Sequence, residues 1–384
     1  MNIPLFKIYW DEDDIKAVEE VIRSGMHWCI GRQIEEFEKG ICEYLGTKHC
    51  VAFNSGGSAL HALMLAYGFK PGDEIIVPSF TFIATAYAPL YIGAKPIFAD
   101  IEEETLGLDP EDVKEKITPK TKAIIAVHYG GMPCKVRELK EIAEDYGLIL
   151  IEDAAEAFGA KVGGRYVGTF GDSAIFSFCQ NKIFTTSEGG AVVTENEEIH
   201  RRLKLLVSYG RVTEGNYFTS GARSDYVEIG YNWRLSTILA ALGLSQLKKV
   251  DRLIEMRRKN AHFMNTTLKR VNGIKVMEEP RDYFAVYQLY TIRVLEGEKT
   301  RNKLMDYLAQ KGISTKIYFE PVHKYTVFRN LGYSQLNLPV TESISSQVLT
   351  LPLYPHMTVK ELEYVASSVK EFMMRGDTHE TGYF

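Results

Sequence analysis

Apolar residues along this chain recur with two periods, one helical and one extended. Ile15, Val18 and Ile22 fall on one helical stripe, after Asp11 as a cap and an acidic first turn, with Gly25 as the stop. A second stripe, Ile34, Phe37, Ile41 and Tyr44, ends at Gly46. The second stripe is predicted to face a core. Short apolar runs at 50–53, 74–77, 96–99, 123–127, 149–152, 173–178 and 190–194 predict strands. Helical patterns at 58–67, 82–91, 110–117 and 136–146 lie between the earlier ones, and Asp109-Pro110 is a good helix start. Strands alternating with helices in this way predict an α/β fold, with a mostly parallel sheet covered on both faces.

Beyond Ser236 one long helical stretch is expected as far as about Arg270. An α+β region follows, with strands expected near 287–294 and 313–318 and a last helix from Val359. The pattern divides into a large domain, 1–250, and a smaller one, 251–384. There is no internal repeat and no low-complexity tract.

Composition narrows the class. The chain has 384 residues, is 45% hydrophobic, and carries 45 basic against 50 acidic residues. A net charge of −5 gives no basic surface for nucleic acid. No apolar run reaches the ~20 residues of a membrane helix, and the first residues lack a signal-peptide pattern, so a cytoplasmic address is expected. Five scattered cysteines, with no Cys-x-x-Cys pair, argue against a disulfide framework or a zinc site. The nine histidines show no metal-ligand spacing, so no metal is expected in the chemistry.

In a parallel sheet, ligands gather at the carboxyl ends of strands and at the helix starts that follow. Four segments place suggestive residues there. Asn54-Ser55-Gly56-Gly57-Ser58 is either an anion-binding helix start or a plain tight turn. Glu152-Asp153 ends an apolar run, where an acid could anchor a protonated ring nitrogen or a ribose, or merely cap the next turn. Lys182 sits between two apolar strands and is either a solvated surface lysine or a part-buried amine that can attack an aldehyde. Gly230 to Ser236 enters the long helix, and alone reads as a cap with a packed Trp233.

Taken in order, these segments resemble a known family. Ser-Gly-Gly-Ser-Ala-Leu-His (55–61), Val-Pro-Ser-Phe-Thr-Phe (77–82), Glu-Asp-Ala-Ala-Glu-Ala (152–157), Ser-Phe-x-x-x-Lys (177–182), Glu-Gly-Gly-Ala-Val-Val-Thr (188–194) and Gly-Tyr-Asn-x-Arg-Leu (230–235) all occur. So do Pro321-Val322-His323 and Leu351-Pro352-Leu353-Tyr354-Pro355. The set is similar to the nucleotide-sugar aminotransferases of the DegT/DnrJ/EryC/StrS family, and most like its GDP-perosamine-synthase-type members.

The resemblance implies the fold type I architecture of aspartate aminotransferase, with pyridoxal 5′-phosphate as cofactor. By similarity Lys182 carries the cofactor as a Schiff base and shuttles the proton, and Asp153 pairs with the pyridine nitrogen. Phe82 stacks on the ring, and Gly56, Gly57 and Ser177 bind the phosphate, although many relatives have Ser or Thr in place of Gly57. Asn232 matches a phosphate ligand donated by the other subunit, which implies a homodimer with shared sites. His323 falls where relatives contact the nucleotide sugar.

Glu156 departs from the commoner Gln or His. Two arrangements are open for it: a carboxyl held protonated beside the cofactor, or one turned to accept a bond from another donor. The first is favoured here, because Asp153 and the cofactor's phenolate both disfavour a further negative charge.

The implied reaction moves an amino group from L-glutamate, leaving 2-oxoglutarate, to a nucleotide-linked keto sugar. A GDP-linked 4-keto-6-deoxymannose is preferred, with a UDP- or dTDP-linked 3- or 4-keto sugar as the alternative. Dehydratases of the same group carry histidine in place of the lysine, so Lys182 speaks against that reaction. A non-catalytic cofactor-binding regulator is the reading of another class.

Overall fold

A computed structural model of the chain describes residues 1–213, 221 and 223–376. The large sheet has seven strands: β1 (His49–Phe53), β2 (Glu74–Pro78), β3 (Lys95–Ala99), β4 (Thr121–Val127), β5 (Ile149–Asp153), β6 (Ser173–Ser177) and β7 (Gly190–Thr194). Their order is β1-β7-β6-β5-β4-β2-β3, and only β7 runs against the rest. Alternation along each strand feeds two cores. Cys50, Ala52, Ile124 and Ala126 point to one face, while Val51, Phe53, Ala123 and Ile125 point to the other. The sheet is therefore buried on both sides, as the near-continuous apolar runs predict.

Helices α1 (Glu12–Arg23) and α2 (Arg32–Leu45) precede the sheet, and α3 (Gly56–Ala66), α4 (Ile83–Tyr91), α5 (Pro110–Lys116), α6 (Val136–Tyr146) and α7 (Glu197–Leu206) lie among its strands. The α1 cap is a reciprocal box: Asp11 accepts from the Asp13 N–H, and Asp14 accepts from the Asp11 N–H at 3.0 Å. Its apolar stripe faces outward. Ile15 and Ile22 are 48% and 47% exposed, and Asp14 and Val21 are the buried residues. Asp14 is drawn inward by the Gln246 amide at 2.7 Å and the Lys249 ammonium at 2.9 Å. That pull turns the apolar stripe outward.

The long helix expected from Ser236 is two helices, α8 (Thr237–Leu247) and α9 (Val250–Leu268). The break falls at Lys248 and Lys249, where the Lys249 side chain reaches Asp11 and Asp14 instead of solvent. Core membership changes along α9. Val250, Leu253 and Ile254 belong to the large-sheet core, whereas Ala261, Met264 and Leu268 belong to a third core. That third core is built on strands β8 (Ile274–Val276), β9 (Tyr290–Val294) and β10 (Val348–Leu351), all antiparallel. Ile3 also lies in it, so the first residues pack with the C-terminal part rather than with the large sheet.

The strand expected at 313–318 is not formed. That segment makes only isolated bridges, Ile313 to Ile3 and Lys316 to Thr350 of β10. The last helix, Val359–Gly376, starts as expected. The architecture is fold type I: a large domain on a mostly parallel mixed sheet, followed by a smaller α+β part.

Candidate active site

The carboxyl ends of β1, β2, β4, β5 and β6 all lie on one rim of the sheet, as parallel strands require. A cavity of about 470 Å³ opens there. Gly56, Gly57, Phe82, Asp153, Glu156, Ser177 and Lys182 all line it. Seven residues picked from four separate segments thus meet in one place.

Asp153 ends β5 and is 5% exposed. The Thr85 hydroxyl donates to its Oδ2 at 2.7 Å, and the Ala155 N–H to its Oδ1 at 3.2 Å. Burial raises the Asp153 pKa, against those two bonds and the nearby Lys182. A cation brought against this carboxylate would restore its ionised form.

Lys182 rides on the loop between β6 and β7. That loop is closed at its base, where Phe178 exchanges backbone bonds with Gly189 at 2.9 Å and Thr186 at 3.0 Å. Phe178 and Phe184 pack in the core with ring centroids 4.9 Å apart, so the lysine stands on an anchored support. Its side chain is only 14% exposed, and Nζ lies 3.3 Å from Glu156 Oε1.

The geometry of Glu156 matches the second arrangement, a carboxyl turned to another donor: its Oε2 accepts the Gly130 N–H at 2.9 Å and its Oε1 lies 3.3 Å from the Lys182 Nζ. The donor sits in a Gly130-Gly131 turn with φ of 61° and 89°. A Cβ on Gly131 would lie 2.8 Å from the Gln288 amide nitrogen, so that turn requires glycine.

The turn after β1 starts α3 two residues earlier than expected. Ser55 is its cap, accepting the Ser58 N–H at 3.1 Å, so Gly56 and Gly57 already form the first turn. Their N–H groups are free helix-start donors facing the cavity, with the positive end of the helix dipole behind them. A Cβ on Gly56 would lie 3.1 Å from the Ser177 Cβ, and one on Gly190 would lie 2.6 Å from the Gly56 nitrogen. At Gly57 a Cβ would meet only the Ser55 hydroxyl at 3.9 Å. Bare backbone, a serine hydroxyl and open space make a cradle that suits a phosphate.

Phe82 caps α4 and is 63% exposed, with its ring free to cover a planar ligand. Its loop is held by a residue that sequence placed differently. His323 is 1% exposed and lies outside the cavity lining. Its Nε2–H donates to Glu342 at 3.2 Å, so Nδ1 accepts the Ser79 hydroxyl at 2.7 Å. Both ring nitrogens are used, and His323 braces the 79–82 loop instead of facing a ligand. Asn232 is exposed and likewise lies outside the cavity of its own chain. Its neighbour Trp233 accepts the Asn54 N–H at 2.7 Å.

Several lining residues were not found from sequence. Thr85 follows Phe82 by one helical turn, a spacing that could have shown it. His128 accepts the Cys134 N–H at Nδ1 and therefore donates Nε2–H to Glu152 at 2.9 Å, bracing β4 against β5. Lys316, Tyr318 and Phe319 form a wall from the C-terminal part, with the Lys316 ammonium 4.7 Å from the Tyr318 ring centroid. No local pattern announces that wall, because its segment read as a strand.

A family model now decides the class: the DegT/DnrJ/EryC1/StrS aminotransferase family matches residues 9–370. The chain belongs to this family. It is therefore an enzyme, an aminotransferase. GDP-perosamine synthase of Vibrio cholerae is 35% identical over 371 residues, covering 96% of this chain and 99% of that protein. The Helicobacter pylori PseC structure, an aminotransferase involved in the biosynthesis of pseudoaminic acid, is 29% identical with a TM-score of 0.93. It covers 98% of this chain and 100% of its own. The PLP-form of the putative sugar aminotransferase Spr1654 from Streptococcus pneumoniae is 27% identical with a TM-score of 0.92, covering 98% and 99%. Among the described residues of this aminotransferase no helix is long and apolar enough to cross a membrane.

Proposed function

We propose that this aminotransferase moves an amino group from L-glutamate to the keto group of a nucleotide-linked hexose, with pyridoxal phosphate as its cofactor. A GDP-linked 4-keto-6-deoxymannose is the favoured acceptor, and UDP- and dTDP-linked keto sugars are the alternatives. The observation that carries the reading is the meeting of the Lys182 amine and the buried Asp153 carboxylate in one cavity beside a bare helix start. Similarity to GDP-perosamine synthase supports the choice of sugar.

The chemistry pyridoxal phosphate supplies when bound is an electron sink for the pair left on the amino-bearing carbon. The chain's own groups do the rest. Asp153 would hold the proton on the pyridine nitrogen, with the Thr85 hydroxyl keeping that carboxylate aimed. Lys182 would hold the cofactor through its amine and, once released, would take and return the proton of the substrate carbon. The Gly56 and Gly57 N–H groups and the Ser177 hydroxyl would bind the phosphate, and Phe82 would shield the ring from water. Glu156 is the resting partner of the Lys182 ammonium and the nearest acceptor for its proton.

We propose also that the enzyme works as a cytoplasmic homodimer in which the partner's Asn232 reaches the phosphate. The support is the exposed apolar stripe of α1, where Ile15, Val18 and Ile22 lie beside Trp10 and Leu242. The division near residue 250 into two domains is part of the same reading.

The test loads the enzyme with glutamate and offers a panel of GDP-, UDP- and dTDP-linked keto sugars, with the new amine detected by mass. Selective amination of the GDP-linked 4-keto sugar is expected. Amination of a UDP- or dTDP-linked sugar alone would move the assignment, and no amination of any would overturn it.

A further inference from the structure

His49, at the start of β1, and His200, on α7, are far apart in sequence but stacked in space. Their ring centroids are 4.5 Å apart and the planes differ by 13°. Glu197 serves both: its Oε2 is 3.1 Å from His49 Nε2 and its Oε1 is 4.0 Å from His200 Nδ1. One ligand atom from each of the three lies within 4.8 Å of the others. None of them lines the active-site cavity.

We propose that His49, Glu197 and His200 form a binding site for a divalent transition metal of the zinc class, bridging β1 to α7. Three features carry it. The donor set, two imidazoles and one carboxylate, is the one that zinc-class ions prefer, and it leaves a fourth position for water. Glu197 and His200 are one helical turn apart, so both project from the same face of α7 toward the strand. Tetrahedral ligands around zinc stand roughly 3.3 Å apart, given bonds of about 2.0–2.1 Å. The Glu197 distances bracket that spacing, and Glu197 is exposed and can adjust.

Two lysines close by in the chain are each paired with an acid, Lys204 with Glu38 at 2.6 Å and Lys48 with Glu195 at 3.2 Å. The two rings lie in nearly parallel planes, so one of them turns when both donate to a single ion. A bound ion would tie the edge strand β1 to α7, and β1 runs directly into the Asn54–Gly57 turn.

The experiment is calorimetric titration of the chelator-treated holoenzyme with zinc sulfate, alongside His49→Ala, His200→Gln and Glu197→Gln. Wild type should bind one zinc per chain with a Kd in the micromolar range and melt at a higher temperature with zinc present. Each histidine variant should weaken binding at least about tenfold, a loss of about 1.4 kcal/mol. Aminotransferase activity without zinc should be unchanged in all three, which also reports that they fold. Binding by cobalt(II) should give the visible bands of a tetrahedral site in wild type only. No binding up to millimolar zinc, or equal affinity in wild type and both histidine variants, overturns the proposal.

Discussion

At the scale of single residues, the site stores its chemistry in groups held against their ordinary preferences. Burial pushes the Asp153 carboxyl up, so its charge is costly until a cation meets it. Asp153→Asn should therefore leave the melting temperature of the cofactor-free protein unchanged or raised, while turnover falls about a hundredfold or more. A variant with wild-type turnover would remove Asp153 from the mechanism. Glu156 gives a different expectation. Glutamine can still accept the Gly130 N–H, but it cannot hold the Lys182 ammonium as a carboxylate does. Glu156→Gln should keep the cofactor and stay within about tenfold of wild-type turnover, roughly 1.4 kcal/mol of barrier. Loss of all catalysis at every pH would give the carboxylate an essential role that this account lacks.

At the scale of elements, most strands and their order along the chain were legible, because two-sided burial writes continuous apolar runs. So were the residues at strand ends, where glycine, acid and lysine stand out against apolar neighbours. What local pattern could not show depends on distant partners. The α1 stripe faces outward because Gln246 and Lys249 claim Asp14 from the other side. The 236–270 helix breaks for the same reason. His323 looked like a ligand contact, yet Ser79 and Glu342 occupy both its nitrogens.

The last helix shows a cap with a measurable signature. Thr358 and Glu361 form a reciprocal box, and Glu361 also accepts from Tyr354 at 2.8 Å and Lys7 at 3.1 Å. Burial opposes its ionisation, but those donors win and pull its pKa to about 2, from an ordinary 4.5. A depressed carboxyl stabilises the fold above the unfolded value and loses that contribution as pH falls through the folded one. Glu361→Gln should thus melt below wild type at neutral pH, and the gap should close between pH 4.5 and about 2. A gap that is constant across that range would show that the ionised form contributes nothing.

At the scale of the whole molecule, one chain supplies the lysine, the acid and the helix start, but its Asn232 lies outside its own cavity. An exposed apolar stripe on α1 accompanies that gap. If the stripe is the dimer surface, charging it separates the subunits and opens both sites. Ile15→Asp combined with Ile22→Asp should sediment as a folded monomer that loses cofactor on dilution. A monomer with full activity and retained cofactor would contradict shared sites.

The central claim is that Lys182 carries the cofactor for amino transfer, and absorbance of the purified enzyme tests it most directly. The visible band of the lysine-linked cofactor should bleach when L-glutamate is added and return with 2-oxoglutarate, over repeated cycles. Lys182→Ala should lose that band and multiple turnover, and Lys182→Arg should not restore them, because a guanidinium is no amine nucleophile. Repeated turnover by Lys182→Ala at the wild-type rate would contradict the account.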